Sequence, residues 1–339
     1  LNSDDWPKIS VVIPIKNEEK FIASTIKYMQ TQDYPEDKLE IIIVAGDSSD
    51  RTDEIIAELA ANDHRIKIIH NPRGFSSAGR NIGAENATGE IISYIDGHTY
   101  INNRMLLQNM VELMAEKEVS ILSRPQFLDT PENSYFQKAV SLARKSPIGH
   151  GLDSTIYTDE DKYVNPTSSG ATYKKDAFEK LGGFDERFDA CEDVDFNFRA
   201  AENGYKSFTS MKLAVFYYPR ESLSALFAQM SRYGVGRFRL ARKHPGSLSL
   251  GTLIPPFITV GIPLLILLAL FVNKFLYPSL LILCFYAAVI LLSSLIISFR
   301  SGLSFLPILP LIYLAIHFGM GSGFLKEMFR SIFGRGVKF

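Results

Sequence analysis

The chain predicts an α/β protein built on a mostly parallel sheet and followed by transmembrane helices. Three observations predict it. Short β-branched runs alternate with amphipathic stretches from Lys8 to about Arg124, the pattern of a sheet covered by helices on both faces. Polar residues collect just after those runs, where open parallel sheets bind ligands. From Gly251 onward the chain carries long segments without a charge.

The runs Ile9 to Ile15, Ile41 to Ala45, Ile66 to Ile69, Ile91 to Ile95 and Val119 to Leu122 are nearly continuous in apolar residues, so each reads as a strand buried on both faces. Glu19 to Gln32, Asp53 to Asn62, Ser76 to Asn86 and Arg104 to Lys117 read as the helices between them, each opening near a polar residue or closing near Asn or Gly. From Pro125 to Leu181 the periodicity weakens, with Pro131, Pro147, Pro166 and a polar stretch Asp153 to Lys162. This part reads as mixed helix and loop shaping an acceptor side. Gly182-Gly183 stops a helix before the acidic run Glu192-Asp193-Val194-Asp195, and a further helix is expected from near Asp193 to Asn203, closed by Gly204. Leu223 to Arg242 follows as a basic amphipathic helix suited to a membrane surface. The expected organisation is therefore a soluble domain over 1–221, an interfacial helix and linker over 222–250, membrane segments over 251–325 and a basic tail over 326–339.

Three uncharged segments, Gly251 to Val272, Phe275 to Phe299 and Ser301 to Leu325, are separated only by short breaks holding Lys274 and Arg300. Each is long enough to span a bilayer, which takes about 20 apolar residues. Basic residues flank both sides of the set, Arg232, Arg237, Arg239, Arg242 and Lys243 before it and Lys326, Arg330, Arg335 and Lys338 after it. Both flanks favour the cytoplasm. Two crossings plus one re-entrant or interfacial segment satisfy that condition, and three crossings do not. Prolines 255, 256 and 263 in the first segment, or 307 and 310 in the third, suit a broken helix. With no apolar run ahead of the soluble part, that part is expected to face the cytoplasm. Cys191 and Cys284 then lie in different compartments and form no disulfide, and Asn86-Ala87-Thr88 matches a glycosylation acceptor by chance. A net charge of −1 points to no nucleic-acid partner. No Gly-x-Gly-x-x-Gly follows the first strand, which argues against a dinucleotide oxidoreductase. His317, inside the third apolar segment, is either functional by its location or bonded to a neighbouring helix.

The stretch with the most chemistry runs from Arg80-Asn81-Ile82-Gly83 through Ile91 to Ile95 and ends on Asp96-Gly97-His98. Residues two apart on an extended chain point the same way, so Asp96 and His98 can converge on a divalent cation. The plainer reading is a polar turn after a core strand.

In order and spacing, four stretches carry a resemblance: Val11-Val12-Ile13-Pro14-Ile15-Lys16-Asn17-Glu18-Glu19; Val44 to Thr52; Ala78-Gly79-Arg80-Asn81 through Asp96-Gly97-His98; and Gly182-Gly183-Phe184-Asp185 leading to Glu192-Asp193. Over Lys8 to about His244 the chain resembles the family 2 glycosyltransferases. These are inverting enzymes of the GT-A fold, and the likeness is to the membrane-anchored, succinoglycan-type members that build surface polysaccharides and glycolipids. The resemblance implies that Pro14 and Glu18 frame the nucleotide and that Arg80 lies near it. Asp47, in Ala45-Gly46-Asp47-Ser48, stands one position from the acid expected to contact uracil. Asp96 and His98 replace the common Asp-x-Asp as metal ligands, Asp193 is the base, and Glu192 lies on the acceptor side. Gln229-Met230-Ser231-Arg232-Tyr233 softens a Gln-x-x-Arg-Trp motif, which places Arg232, Gln229 and Tyr233 with the diphosphate and acceptor sugar.

The expected reaction moves a sugar from a UDP-sugar to a polyprenyl phosphate or diphosphate acceptor, with Mn2+ or Mg2+ as Lewis acid on the leaving phosphate. An imidazole ligand tilts the choice toward Mn2+. Membrane lipids are the remaining expected partner. The alternatives are a catalytically silent membrane scaffold of the same fold and a processive polysaccharide synthase.

Overall fold

The structure is a computed structural model, and it describes residues 6–150, 156, 157, 159–168 and 170–339. Most of the polar stretch Asp153 to Lys162 is described, but residues 153–155 and 158 lie outside that set. The strands in chain order are β1 (Ile9–Ile15), β2 (Leu39–Ala45), β3 (Ile66–His70), β4 (Ile91–Tyr94), β5 (Thr99–Tyr100), β6 (Ile121–Ser123), β7 (Gln126–Phe127), β8 (Lys162–Val164), β9 (Gly170–Lys174), β10 (Ser207–Thr209) and β11 (Val215–Tyr217). The helices are α1 (Ile22–Gln30), α2 (Thr52–Ala61), α3 (Ser76–Glu85), α4 (Leu106–Glu116), α5 (Tyr135–Lys145), α6 (Pro147–His150), α7 (Lys175–Lys180), α8 (Glu192–Glu202), α9 (Leu223–Lys243), α10 (Leu250–Phe271), α11 (Leu276–Ser301) and α12 (Leu309–Ile332).

The chain divides into two compact units, Leu1–Thr130 with Thr155–Tyr218, and Pro131–Ser154 with Pro219–Phe339. The boundary expected near 221 thus falls at 218/219. Residues 131–150, which sequence periodicity left inside the soluble domain, group with the second unit instead.

In the first unit a sheet runs β3-β2-β1-β4-β9-β6-β10-β8, with β5-β11-β7 as a small second sheet. Strands β3, β2, β1 and β4 are mutually parallel, in the register Ile9 opposite Leu39 and Ile91. Strand β9 is antiparallel to both β4 and β6, and a sheet of this mixed, mostly parallel kind binds ligands beyond its strand ends. Strands β1 and β2 are buried along nearly their whole length, which explains why they show no polar alternation. One apolar layer packs α1, α2 and α4 on one face through Ile22, Ile26, Met29, Ile56, Leu107 and Met110. The other face carries α3, α7 and α8 through Ala84, Phe178, Phe184 and Phe196. Glu40 is a charged residue buried beside this core, 2 % exposed. Burial works against its charge, but bonds from Lys67, Ser10 and Thr88 hold its carboxyl down at about 2.

Helix α3 lies close on the sheet because it presents glycine there. A Cβ at Gly79 would stand 3.1 Å from Pro14 Cβ, and one at Gly83 would run into Val12. That close approach carries Arg80, on the same helix, to the carboxyl ends of β1 and β4.

In the second unit α9 and α12 pack side by side. Gly234 on α9 meets the Met320 carbonyl, and Gly323 on α12 meets the Ser231 carbonyl, with no room for a Cβ at either position. Arg239 bonds Glu327 at 2.8 Å and Arg242 bonds Ser331. Helix α5, opened by a Ser134/Gln137 capping box, joins this bundle through Ala139, Val140 and Ala143 against Leu226, Met230 and Ile312. Tyr313 donates to Ser146 at 2.8 Å, and His317 is held between Tyr286 and the Ile148 carbonyl. His317 therefore serves packing.

Among the described residues two helices, 250–271 and 273–301, are long and apolar enough to cross a membrane. The third expected span takes a different form. The left-handed Gly302 (φ 125°) and a 3-10 turn over Leu303–Phe305 break the chain. Helix α12 starts at Leu309, with Pro310 in its first turn, and runs on through Lys326, Glu327 and Arg330. Prolines 255, 256 and 263 sit inside a continuous α10.

Candidate active site

The site lies at the carboxyl ends of β1, β2 and β4. After β1 the chain turns through Asn17, a non-glycine residue in the left-handed region (φ 56°). Its side-chain oxygen accepts the Ser49 N–H at 2.8 Å, while the Glu18 N–H donates to Thr52 Oγ1 at 2.7 Å. Asp50 accepts from Thr52 and from the Glu19 N–H. The β1 and β2 exits are thus tied into one rim. Asp47 stands on that rim, 83 % exposed at its side chain, paired with His70 at 2.9 Å. Pro14 lies within β1, partly buried.

After β4 the chain enters a turn at Gly97 and His98 before β5. A Cβ on Gly97 would stand 2.9 Å from Ile15 Cγ2 and 3.0 Å from Glu18 Cγ, so the turn closes tightly on the β1 exit. Thr25 on α1 donates to the Gly97 carbonyl at 2.9 Å. Because the segment turns, the extended-chain argument for Asp96 and His98 does not hold, and the two side chains take different partners. Asp96 Oδ1 pairs with Arg80 Nη2 at 3.0 Å, and His98 Nδ1 pairs with Glu18 Oε1 at 2.8 Å.

Arg80 reaches further. Its Nη1 pairs with Glu192 Oε1 at 3.0 Å, and the guanidinium lies over the rings of Tyr94 and Phe184. One side chain therefore bridges the acid after β4 to the acid that opens α8. Burial disfavours its charge, yet Glu192, Asp96 and Asp193 outweigh burial and hold Arg80 protonated more firmly than usual. Burial likewise acts against the Asp96 carboxylate, but Arg80 and then His98 keep its pKa below the ordinary range. Glu192 is the opposite case. Burial raises its pKa, with Arg80 only partly offsetting it.

Helix α8 follows Cys191, which is also left-handed (φ 66°). Asp193 Oδ1 accepts the N–H of Val194 at 2.9 Å, and its other oxygen has no hydrogen-bond partner among the described residues. The helix is fixed from behind by Asp195 with Arg199 at 3.1 Å and by Asn197 with Tyr173 at 2.9 Å. Arg232, Gln229 and Tyr233 lie on α9 in the second unit, where Gln229 donates to Tyr233 at 3.4 Å and Arg144 covers the Tyr233 ring.

Arg124 was missed by sequence reasoning. It follows β6 directly, is 2 % exposed and donates to the Tyr94 carbonyl at 2.7 Å. Its Nε and Nη1 are buried without a hydrogen-bond partner among the described residues, as is Arg80 Nε. A lone arginine between a predicted strand end and Pro125 was the available signal. Glu18 as the partner of His98 was likewise invisible, since 80 residues separate them.

The donor set fits a divalent cation bound together with a phosphate. Asp96 is held ionised, and only one of its oxygens is engaged by Arg80. A carboxylate on Nδ1 is how a ligating imidazole is oriented to bind through Nε2. Among the described residues no group of three or more His, Cys, Asp or Glu is placed to hold a metal, so the protein would contribute Asp96 and His98 while diphosphate oxygens and water complete the shell.

Comparison with known proteins identifies the family and the fold. The family described as "Glycosyl transferase family 2" matches residues 10–182. The succinoglycan biosynthesis protein ExoA of Rhizobium meliloti is 30 % identical over 262 residues, 75 % of this chain and 77 % of that one. A dolichyl N-acetyl-alpha-D-glucosaminyl phosphate 3-beta-D-2,3-diacetamido-2,3-dideoxy-beta-D-glucuronosyltransferase of Methanococcus voltae is 27 % identical, covering 69 % and 74 %. The solved mannosyltransferase PcManGT of Pyrobaculum calidifontis, in complex with GDP-Man and Mn2+, superposes with a TM-score of 0.59 at 19 % identity, over 96 % of this chain and 88 % of that one. That likeness establishes the GT-A fold. With the family match spanning half of the chain and a relative aligned over three quarters of it, the chain belongs to glycosyltransferase family 2 and is a glycosyltransferase.

Proposed function

We propose that the enzyme transfers a sugar from a UDP-sugar to a lipid-linked acceptor, a polyprenyl phosphate or diphosphate, with inversion, in surface polysaccharide or glycolipid synthesis. The observation that carries the reading is the Arg80 bridge, which joins Asp96 and Glu192 at 3.0 Å each and so sets the donor side and the start of α8 at one site. The relatives' printed names, a succinoglycan protein and a transferase to a dolichyl-linked sugar, support the pathway and the acceptor class.

Asp96 and His98 would hold a divalent cation, which when bound would supply Lewis acidity to the leaving diphosphate. The residues of the chain do the rest. Glu18 orients the His98 ring, and Arg80 and Arg124 place positive charge beside Asp96, where the diphosphate's negative charge grows. Asp193 takes the proton of the acceptor hydroxyl through the oxygen not used at Val194. A single displacement from the opposite face needs no nucleophile on the enzyme and inverts the sugar.

Membrane insertion through α10 and α11 is supported by their apolar surface, with Phe271, Tyr277 and Leu281 each more than 70 % exposed. Two crossings return the chain to the side it left. The Arg239–Glu327 and Arg242–Ser331 contacts bring the two basic flanks together, as a shared cytoplasmic face requires. The test is incubation of the purified enzyme with individual UDP-sugars, polyprenyl phosphate and Mn2+. A lipid product heavier by one sugar, absent when metal is chelated, is expected. A product formed equally well in chelator contradicts the metal's place in the reading.

A further inference from the structure

Beyond the catalytic site, the end of α12 is built as a cationic and aromatic turn that neither sugar transfer nor helix packing uses. Gly334 sits in the left-handed region (φ 70°). Its N–H donates to the Ser331 carbonyl at 3.2 Å, and the Arg335 N–H returns to the Arg330 carbonyl at 2.7 Å. This pair of bonds is a Schellman closure, and it folds Arg335 back on the last helical turn. There Phe329, Arg330, Phe333 and Arg335 line a cleft of about 460 Å3. Arg242 of α9 steadies the turn through Ser331 and the Val337 carbonyl.

The charge is unbalanced. Glu327, the acid of this turn, is 2 % exposed and already bonded to Arg239 at 2.8 Å, while Arg330 stands 3.9 Å from its other oxygen. Arg335 makes no ion pair among the described residues. The two phenyl rings are 51 % and 74 % exposed. A small soluble anion would neutralise the arginines and leave the rings in water, whereas a neutral lipid would cover the rings and leave the guanidiniums without a counter-charge. An anionic phospholipid satisfies both, since arginine pairs with phosphate through two parallel bonds and aromatic rings favour the membrane–water interface.

We propose that this turn binds an anionic phospholipid, with Arg330 and Arg335 on its phosphate and Phe329 and Phe333 against the upper acyl carbons. The inference rests on the reading that the second unit sits in a bilayer. The competing role for the arginines is to complement the helix dipole at a C-terminus, which requires no lipid.

The full-length enzyme and its Arg330→Gln/Arg335→Gln variant are reconstituted into nanodiscs of phosphatidylcholine alone and of phosphatidylcholine with phosphatidylglycerol, and thermal midpoints are compared. The wild type is expected to melt higher in the anionic discs, and the variant to melt at the same temperature in both. Arg330→Lys/Arg335→Lys is expected to keep part of the difference. A wild type indifferent to phosphatidylglycerol overturns the proposal. So does a variant lowered equally in both lipids, which marks the arginines as dipole partners only, and so does inorganic phosphate reproducing the gain in neutral discs. Failure of the wild type to enter discs of either composition instead overturns the membrane reading.

Discussion

Replacing Asp193 with asparagine is expected to lower the rate of sugar transfer about 10^3-fold, within the range that general-base catalysis supplies, while the thermal midpoint stays unchanged. The side chain has two jobs that asparagine separates. Its Oδ1 accepts the Val194 N–H within the first turn of α8, and an amide oxygen can accept the same bond. Only the carboxylate can accept the acceptor's proton. Asp193→Ala removes the base and a first-turn acid and is expected to lose activity together with about 0.3–1 kcal/mol of stability. Steady-state rates beside melting curves distinguish the two, and an asparagine variant that turns over normally would move the base elsewhere.

Replacing Arg80 with glutamine is expected to damage both fold and activity. Arg80 is the shared partner of Asp96 and Glu192, each at 3.0 Å; both pairs are partly buried, so its loss is expected to cost less than the roughly 3–5 kcal/mol of breaking a fully buried pair from one side. The pH dependence follows from the two acids. Asp96 has a pKa depressed in the fold, so its contribution is present above the unfolded value and is lost as pH falls. Glu192 has a pKa raised by burial, so it favours the fold most when protonated and less as pH rises. Without Arg80 both carboxyls move upward. The acid limb of the transfer rate is therefore expected to shift to higher pH in the variant, measured as kcat against pH. An unchanged acid limb would show that Asp96 is not kept ionised by Arg80.

The sequence was legible where one physical signal decided the outcome. Strand β1 matched its apolar run at both ends, because a strand buried on both faces needs no partner residue to be recognised. Helix α8 began within one residue of its expected start and closed at Gly204, whose φ of 78° suits glycine. Which apolar segment would be broken was left open by the sequence, because hydropathy registers neither the break at Gly302 nor the glycines that seat α12 on α9. In the site, types and rough positions were readable, whereas pairings were not. Nothing local predicts that Arg80 reaches Glu192 across 112 residues or that Glu18 holds His98. Those contacts exist only once the sheet order sets β1 beside β4. Asp96-Gly97-His98 illustrates the same limit, since the glycine that permits the close turn also removes the extended geometry assumed for it.

The most direct test of the central claim, that Asp96 and His98 bind a metal–nucleotide diphosphate, is the thermal stability of the purified enzyme with UDP and with GDP, each with and without Mn2+, beside Asp96→Asn. A ligand at about 100 times its dissociation constant adds roughly 2.7 kcal/mol, a readily measured shift. Stabilisation by UDP is expected only when Mn2+ is present, and is expected to be lost in Asp96→Asn. Stabilisation by UDP that is indifferent to metal and survives in Asp96→Asn would contradict that claim.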